Sequence, residues 1–139
     1  ATEGFLLGIP SLAVSLASRE GRHLDTAVDV ARRLVERFAR APLGQPVLLN
    51  VNVPDVARET LGALEVTRLG RRHKAEPVVK MRTPRGEQAY WIGAAGEAAD
   101  AGPGTDFHAV AGGRVSVTPL QVDLTHPAQL APVRAWLAA

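Results

Sequence analysis

The run Ile9-Pro10-Ser11-Leu12-Ala13-Val14-Ser15-Leu16 is almost continuously apolar or small, with neither helical three-and-four spacing nor strict polar alternation. Such a run reads as a parallel strand covered on both faces, and therefore central in its sheet. The residues after it complete a crossover. Ser18 to Leu24 form a polar loop, and Asp25 or Thr26 is placed to cap a helix in which Ala27, Val30, Ala31, Leu34, Val35 and Phe38 recur at three and four. Arg32, Arg33, Arg37 and Arg40 lie on other faces or late in that helix, where cations favour the carbonyl end of the dipole. Pro42, Gly44 and Pro46 punctuate a loop, and Val47 to Val53 read as a second strand ended by Pro54. A βαβ unit of this kind is right-handed. Its single helix covers one face of two strands, whereas the first strand is apolar on both. Residues outside the unit must cover the rest, so the chain reads as a piece of a larger α/β domain. Ala1 to Gly8 read as the last turns of a helix ending at Gly8.

The texture changes at Leu64. Leu64 to Leu69 alternate as a half-buried strand, Gly70 to Lys74 make a basic loop, and Val78 to Met81 with Ala89 to Ile92 flank the turn Thr83-Pro84-Arg85-Gly86, which predicts a hairpin. Ala94 to Pro103 read as a loop. Thr105 or Asp106 is expected to cap a short helix stopped by Gly112-Gly113, and a long strand follows from Val115 to Leu124. Its apolar phase slips at Pro119, which predicts a bulge or a sheet-edge position there. A terminal helix presents Leu130, Val133, Trp136 and Leu137 on one face, and Pro132 places the start of its regular part near that residue, after a looser turn.

Composition narrows the classes. The chain of 139 residues is 46% hydrophobic and 22% charged, normal for a globular protein. Without cysteine there is no disulfide, thiolate metal site or cysteine nucleophile, and a cysteine-free chain without a signal peptide fits the cytoplasm. No apolar run approaches the roughly 20 residues of a membrane span. A net charge of +2 and 4% aromatics give neither the basic face nor the stacking platforms of a nucleic acid polymer binder.

The block GTDFHAVAGGRVSVTPLQVDLT, Gly104 to Thr125, resembles the C-terminal signature of the SurE family. The similarity extends to GIPSLAVSL (Gly8 to Leu16), LLNVNVP (Leu48 to Pro54), TRLGRRH (Thr67 to His73) and PRGEQAYWIG (Pro84 to Gly93), all in the family's order. Thr83 departs from it, standing where the family usually has aspartate. The resemblance implies the C-terminal portion of an α/β, Rossmann-like three-layer fold with a projecting β-hairpin and a C-terminal strand plus helix. Residues 1–63 would end the βαβ core, 64–103 carry a strand and the hairpin, and 104–139 the short helix, strand and terminal helix.

The same resemblance implies a metal-dependent phosphomonoesterase acting on nucleoside 5′- and 3′-monophosphates. In that family two adjacent aspartates of an Asn-Asp-Asp-Gly motif, a serine and an asparagine hold a divalent cation, magnesium or manganese. No Asp-Asp pair occurs in this chain. The family ligands are expected before residue 1, Ala1 becomes an internal position of a longer protein, and the segment alone is expected to bind no metal and to be inactive. The alternative is a non-catalytic oligomerisation module from a truncated or split chain. The hairpin bearing Tyr90 and Trp91 would join subunits into a homodimer or homotetramer, since a two-stranded ribbon with large aromatics packs on something.

The residues themselves yield modest site candidates. Asn50 and Asn52 alternate with Leu49, Val51 and Val53, and asparagine at the carboxyl end of a parallel strand can organise a site-bearing edge. Thr105 and Asp106 are caps first, with a place on the active-site rim as the functional alternative. Asp123 reads as a strand-end acceptor, His23, His73, His108 and His126 as scattered surface or loop residues, and Arg68, Arg71, Arg72, His73 and Lys74 as a solvated basic loop.

Overall fold

The helix expected around Ala27 to Phe38 forms as α2 (Leu24–Arg40) and lies on a four-stranded sheet in the computed structural model, which describes residues 1–74 and 77–138. A short α1 (Thr2–Leu6) precedes β1 (Ser11–Leu16), and β2 (Leu48–Val53) follows α2. β1 and β2 pair in parallel from Ser11↔Leu48 to Leu16↔Val53. β8 (Val115–Leu120) lies antiparallel to β2, and β3 (Leu64–Val66) lies parallel to β8, giving the order β1-β2-β8-β3.

Successive strand residues point to opposite faces, so this register sorts the sheet chemically. Val51, Val53 and Val115 are fully buried against Ala27, Val30 and Leu34 of α2, with Leu12, Leu16, Leu49, Leu61 and Val117 packed around them. The residues of opposite phase are polar. Ser15 is opposite Asn52, Asn50 is opposite Thr118, and Asn52 is opposite Ser116. On this second face α3 (Asp106–Ala111) packs against β8 and β2, and β4 (Arg71–Arg72) with β7 (Ala98–Asp100) forms a separate two-stranded ribbon.

The hairpin appears as β5 (Val79–Arg82) and β6 (Gln88–Trp91), closed by Thr83 N–H to Glu87 O at 2.8 Å and Gly86 N–H to Thr83 O at 2.8 Å. Gly86 has φ +85°, which suits glycine. The Thr83 hydroxyl accepts from Glu87 N–H at 3.2 Å, so the threonine supplies the side-chain acceptor that an aspartate would provide. α4 (Pro127–Leu137) closes the chain with none of its described residues buried.

Several expectations need correction. Within this chain β1 pairs with β2 alone and so forms the edge of the sheet, with Ala13, Val14 and Ser15 exposed along that open edge although α2 packs on both β1 and β2. Neither Asp25 nor Thr26 caps α2. Thr26 is buried and donates to Val56 O at 3.0 Å, while Asp55 accepts from Arg22 N–H at 3.1 Å and His23 N–H at 2.7 Å just ahead of the helix. Thr105 caps α3, accepting from His108 N–H at 3.2 Å. The supposed loops Gly70 to Lys74 and Ala94 to Pro103 contain β4 and β7, too short to show any period. β3 is not half-buried on its apolar side, since Val66 is 78% exposed beyond the reach of α2.

The strand β8 ends at Leu120 with no bulge at Pro119, which pairs in register with Leu49. Ala63 O accepts from Val115 N–H, and Val117 O accepts from Thr67 N–H, so 115, 117 and 119 turn their backbone groups toward β3. β3 stops opposite Val117, and the missing donor of Pro119 falls where no ladder partner remains. α4 runs through Pro132 rather than starting at it, from Pro127 at its first turn.

Candidate functional site

A cleft of about 520 Å³ opens on the polar face. Ser15 and Ala17 of the β1 end, Asn50 and Asn52 of β2, Arg72 of β4, and Asp106, Phe107, Val110 and Ala111 of α3 line it. It sits toward the carboxyl ends of parallel β1 and β2, the edge where open α/β sheets place their ligands. Its volume is in the range of small-molecule sites.

The backbone of Arg68 to Gly70 fastens α3 above the sheet. Arg68 N–H donates to Gly104 O and Asp106 N–H to Arg68 O, each at 3.0 Å. Asp106 Oδ1 accepts from Gly70 N–H at 2.7 Å and from Phe107 N–H at 2.9 Å. Gly70 is required at that position, because a Cβ there would overlap the Phe107 ring and the Asp100 carbonyl oxygen. The Arg68 guanidinium grips Asp100 with two bonds, at 2.6 Å and 3.1 Å, and holds its carboxyl below the usual carboxylate range. Arg72 lies 4.8 Å from the centre of the Phe107 ring and donates to Gly96 O at 3.1 Å. Beneath α3, Thr67 Oγ1 bonds Ser116 Oγ at 2.9 Å and Thr118 Oγ1 at 2.6 Å, a buried hydroxyl cluster spanning β8 and the end of β3.

Against known families, the model described as survival protein SurE matches residues 1–76. The chain belongs to the SurE family. It is 62% identical over 137 residues to a 5′-nucleotidase SurE of Laribacter hongkongensis, covering 99% of this chain and 56% of that relative. A 5′-nucleotidase SurE of Nitrosomonas eutropha is 59% identical with the same coverage. The SurE protein of Aquifex aeolicus superposes with a TM-score of 0.77 at 38% identity, over 100% of this chain and 56% of that one. The chain thus spans about half the length of the SurE relatives it matches, and the fold is that of a SurE protein.

The fold brings Asn50, Asn52 and Asp106 together as half-buried cleft residues, with Thr105 fully buried directly behind Asp106. Tyr90 and Trp91 are elsewhere, exposed on β6. Asp123 lies beyond β8, its carboxyl lowered first by the Thr125 hydroxyl and then by the Thr125 N–H. Sequence reasoning missed Ser15 and Phe107, and it read Arg72 as solvated, which its exposure bears out, without the contact to Phe107. The signal available was the alternation of Ser15 with Val14 and Leu16, whereas the Arg72–Phe107 stack joins residues far apart in the chain and leaves no local trace.

Among the described residues, no group of three or more histidine, cysteine, aspartate or glutamate side chains is arranged to hold a metal ion. No described helix is long and apolar enough to cross a membrane.

Proposed function

We propose that the complete protein is a metal-dependent phosphomonoesterase of nucleoside 5′- and 3′-monophosphates, and that this chain supplies one wall of its substrate cleft. The supporting observation is a nucleotide-sized polar cleft at the carboxyl edge of β1 and β2, in a chain so similar to relatives named 5′-nucleotidase. Asn50 and Asn52 present amide donors and acceptors to phosphate or ribose oxygens. Asp106 forms the rim, and Thr105, buried behind it, caps α3 and so positions the helix over the substrate. The 1–63, 64–103 and 104–139 segments act as one domain, with the open edge of β1 docking against the rest of the complete fold.

The residues present do not fit the divalent cation, magnesium or manganese, that such chemistry employs. Among the described residues Asp106 is the one carboxylate lining the cleft, and its Oδ1 already serves two backbone donors. No catalytic step is therefore assigned to a metal in this chain. Its contribution is to bind and orient.

In the same reading the protein is cytoplasmic and assembles as a homodimer or homotetramer through the hairpin, where Tyr90 and Trp91 are 60% and 67% exposed. That exposure, with the missing metal group, also supports the second reading, a non-catalytic oligomerisation module. Phosphate release from AMP with magnesium or manganese separates the two. The chain alone should release none, and the chain refolded with the amino-terminal half of the Laribacter hongkongensis relative should release it in a chelator-sensitive way. Failure of a correctly assembled pair would reject the enzyme reading. Replacing Tyr90 and Trp91 by alanine should lower the mass measured by light scattering, and an unchanged mass would reject the hairpin as the interface.

A further inference from the structure

The geometry points to Arg72, seated on Phe107, as the group that recognises the nucleobase, an inference that rests on the nucleotide reading above. The Arg72 guanidinium is fixed from two sides. It rests 4.8 Å from the Phe107 ring centre, and one of its nitrogens donates to Gly96 O. Phe107 is fixed in turn by the absence of a side chain at Gly70 and by the Asp106 carboxylate bridging the Gly70 and Phe107 N–H groups. This is a prebuilt plate on the wall of the cleft that Asn50 and Asn52 also line.

A planar guanidinium held against an aromatic ring offers its other plane for stacking, and a purine or pyrimidine is the flat, electron-rich partner within a nucleotide. Charge alone would not require this arrangement. A phosphate is met as well by a flexible lysine, which needs no ring beneath it, whereas a base needs the plane. Among the described residues no carboxylate engages Arg72, in contrast to Arg68, which is taken up by Asp100. Arg72 thus acts on specificity, and the bond-breaking chemistry lies elsewhere.

The test compares adenosine, which has a base and no phosphate, with ribose 5-phosphate, which has the reverse, each titrated into these 139 residues by proton–nitrogen correlation NMR. Adenosine should shift Gly70, Phe107 and the Arg72 side-chain signal. Arg72→Ala and Arg72→Lys should each weaken adenosine roughly fivefold or more, as loss of one stacking platform does, and leave the ribose 5-phosphate response unaltered. Arg72 is exposed, so a circular dichroism spectrum matching the unsubstituted chain is expected of both variants. Wild-type adenosine affinity in Arg72→Lys, equal weakening of both ligands, or no adenosine binding to the unsubstituted chain would each overturn the proposal. The phosphatase reading is judged separately by phosphate release from AMP by the refolded pair, which can fail while adenosine still binds.

Discussion

The two faces of the four-stranded sheet are built from the same strands by opposite means. Toward α2, β2 presents Leu49, Val51 and Val53, and the interior there is closed by apolar burial. Toward α3 the same strand presents Asn50 and Asn52, and its neighbour β8 presents Ser116 and Thr118, whose hydroxyls are closed by bonds to Thr67. Burial is non-directional and tolerates small shifts. Hydrogen bonds between buried hydroxyls are directional, and each unmet one carries a desolvation cost. One strand with period two thus serves stability with one phase and recognition with the other.

The largest expected effect is on the α2 face. Leu34→Ala removes a buried side chain from the centre of the cluster and should destabilise the chain by about 2–4 kcal/mol in urea unfolding, leaving adenosine binding by the folded fraction unaltered. A loss under 1 kcal/mol would show that α2 is not the main source of stability and would break the contrast between the faces.

Thr67→Val tests the other face at nearly constant volume. It leaves Ser116 and Thr118 without their shared partner, and a loss of about 1–3 kcal/mol is expected. Thr67→Ser keeps the hydroxyl and should recover most of it. Equal stability of Val and Thr at this position would mean that the polar face is held by α3 packing and not by its hydroxyls.

Much of the α2 face was legible in the sequence, because three-and-four spacing in Ala27 to Phe38 and the apolar phase of Val47 to Val53 are local signals. The alternation of Asn50 and Asn52 was legible too, and so was the hairpin, through its proline and glycine. What was not legible is what the polar face is made of in space. Thr67 meets Ser116 and Thr118 across two strands, and Arg72 meets Phe107 across an intervening hairpin. Two-residue β4 has no period to read. At Pro119 the sheet-edge alternative holds and the bulge does not, since a phase slip in sequence looks the same whether a strand bulges or loses its neighbour on one side.

Asp106 joins the polar face to the ribbon beyond it. Asp106→Ala frees the Gly70 and Phe107 N–H groups and should cost about 1–2 kcal/mol, with Asp106→Asn below that because one acceptor oxygen remains. Both should weaken adenosine binding in proportion to the disorder they introduce at Arg72, read as broadening of the Gly70 and Phe107 amide signals. Sharp, unmoved signals in Asp106→Ala would show that Gly70 and Phe107 hold the plate unaided.

The smallest effect is on pH dependence, and it sharpens the contrast because the buried α2 face contains no titratable group. On the other side the Arg68 guanidinium lowers the Asp100 carboxyl, and near the start of α2 the Ser18 hydroxyl, then the His23 and Arg22 N–H groups, lower that of Asp55. A carboxyl lowered in the folded state stabilises above its unfolded value, about 3.9 for aspartate, and that contribution is lost as pH falls through the folded value. Melting temperature should therefore be flat from neutral pH down to the ordinary carboxylate range and fall below it. Asp100→Asn should melt slightly lower than the unsubstituted chain at neutral pH, only slightly because the pair is exposed to solvent. The two melting curves should converge once Asp100 is protonated. A gap between them that persists unchanged to the acid limit would mean that Asp100 acts through the geometry of β7 rather than through its charge.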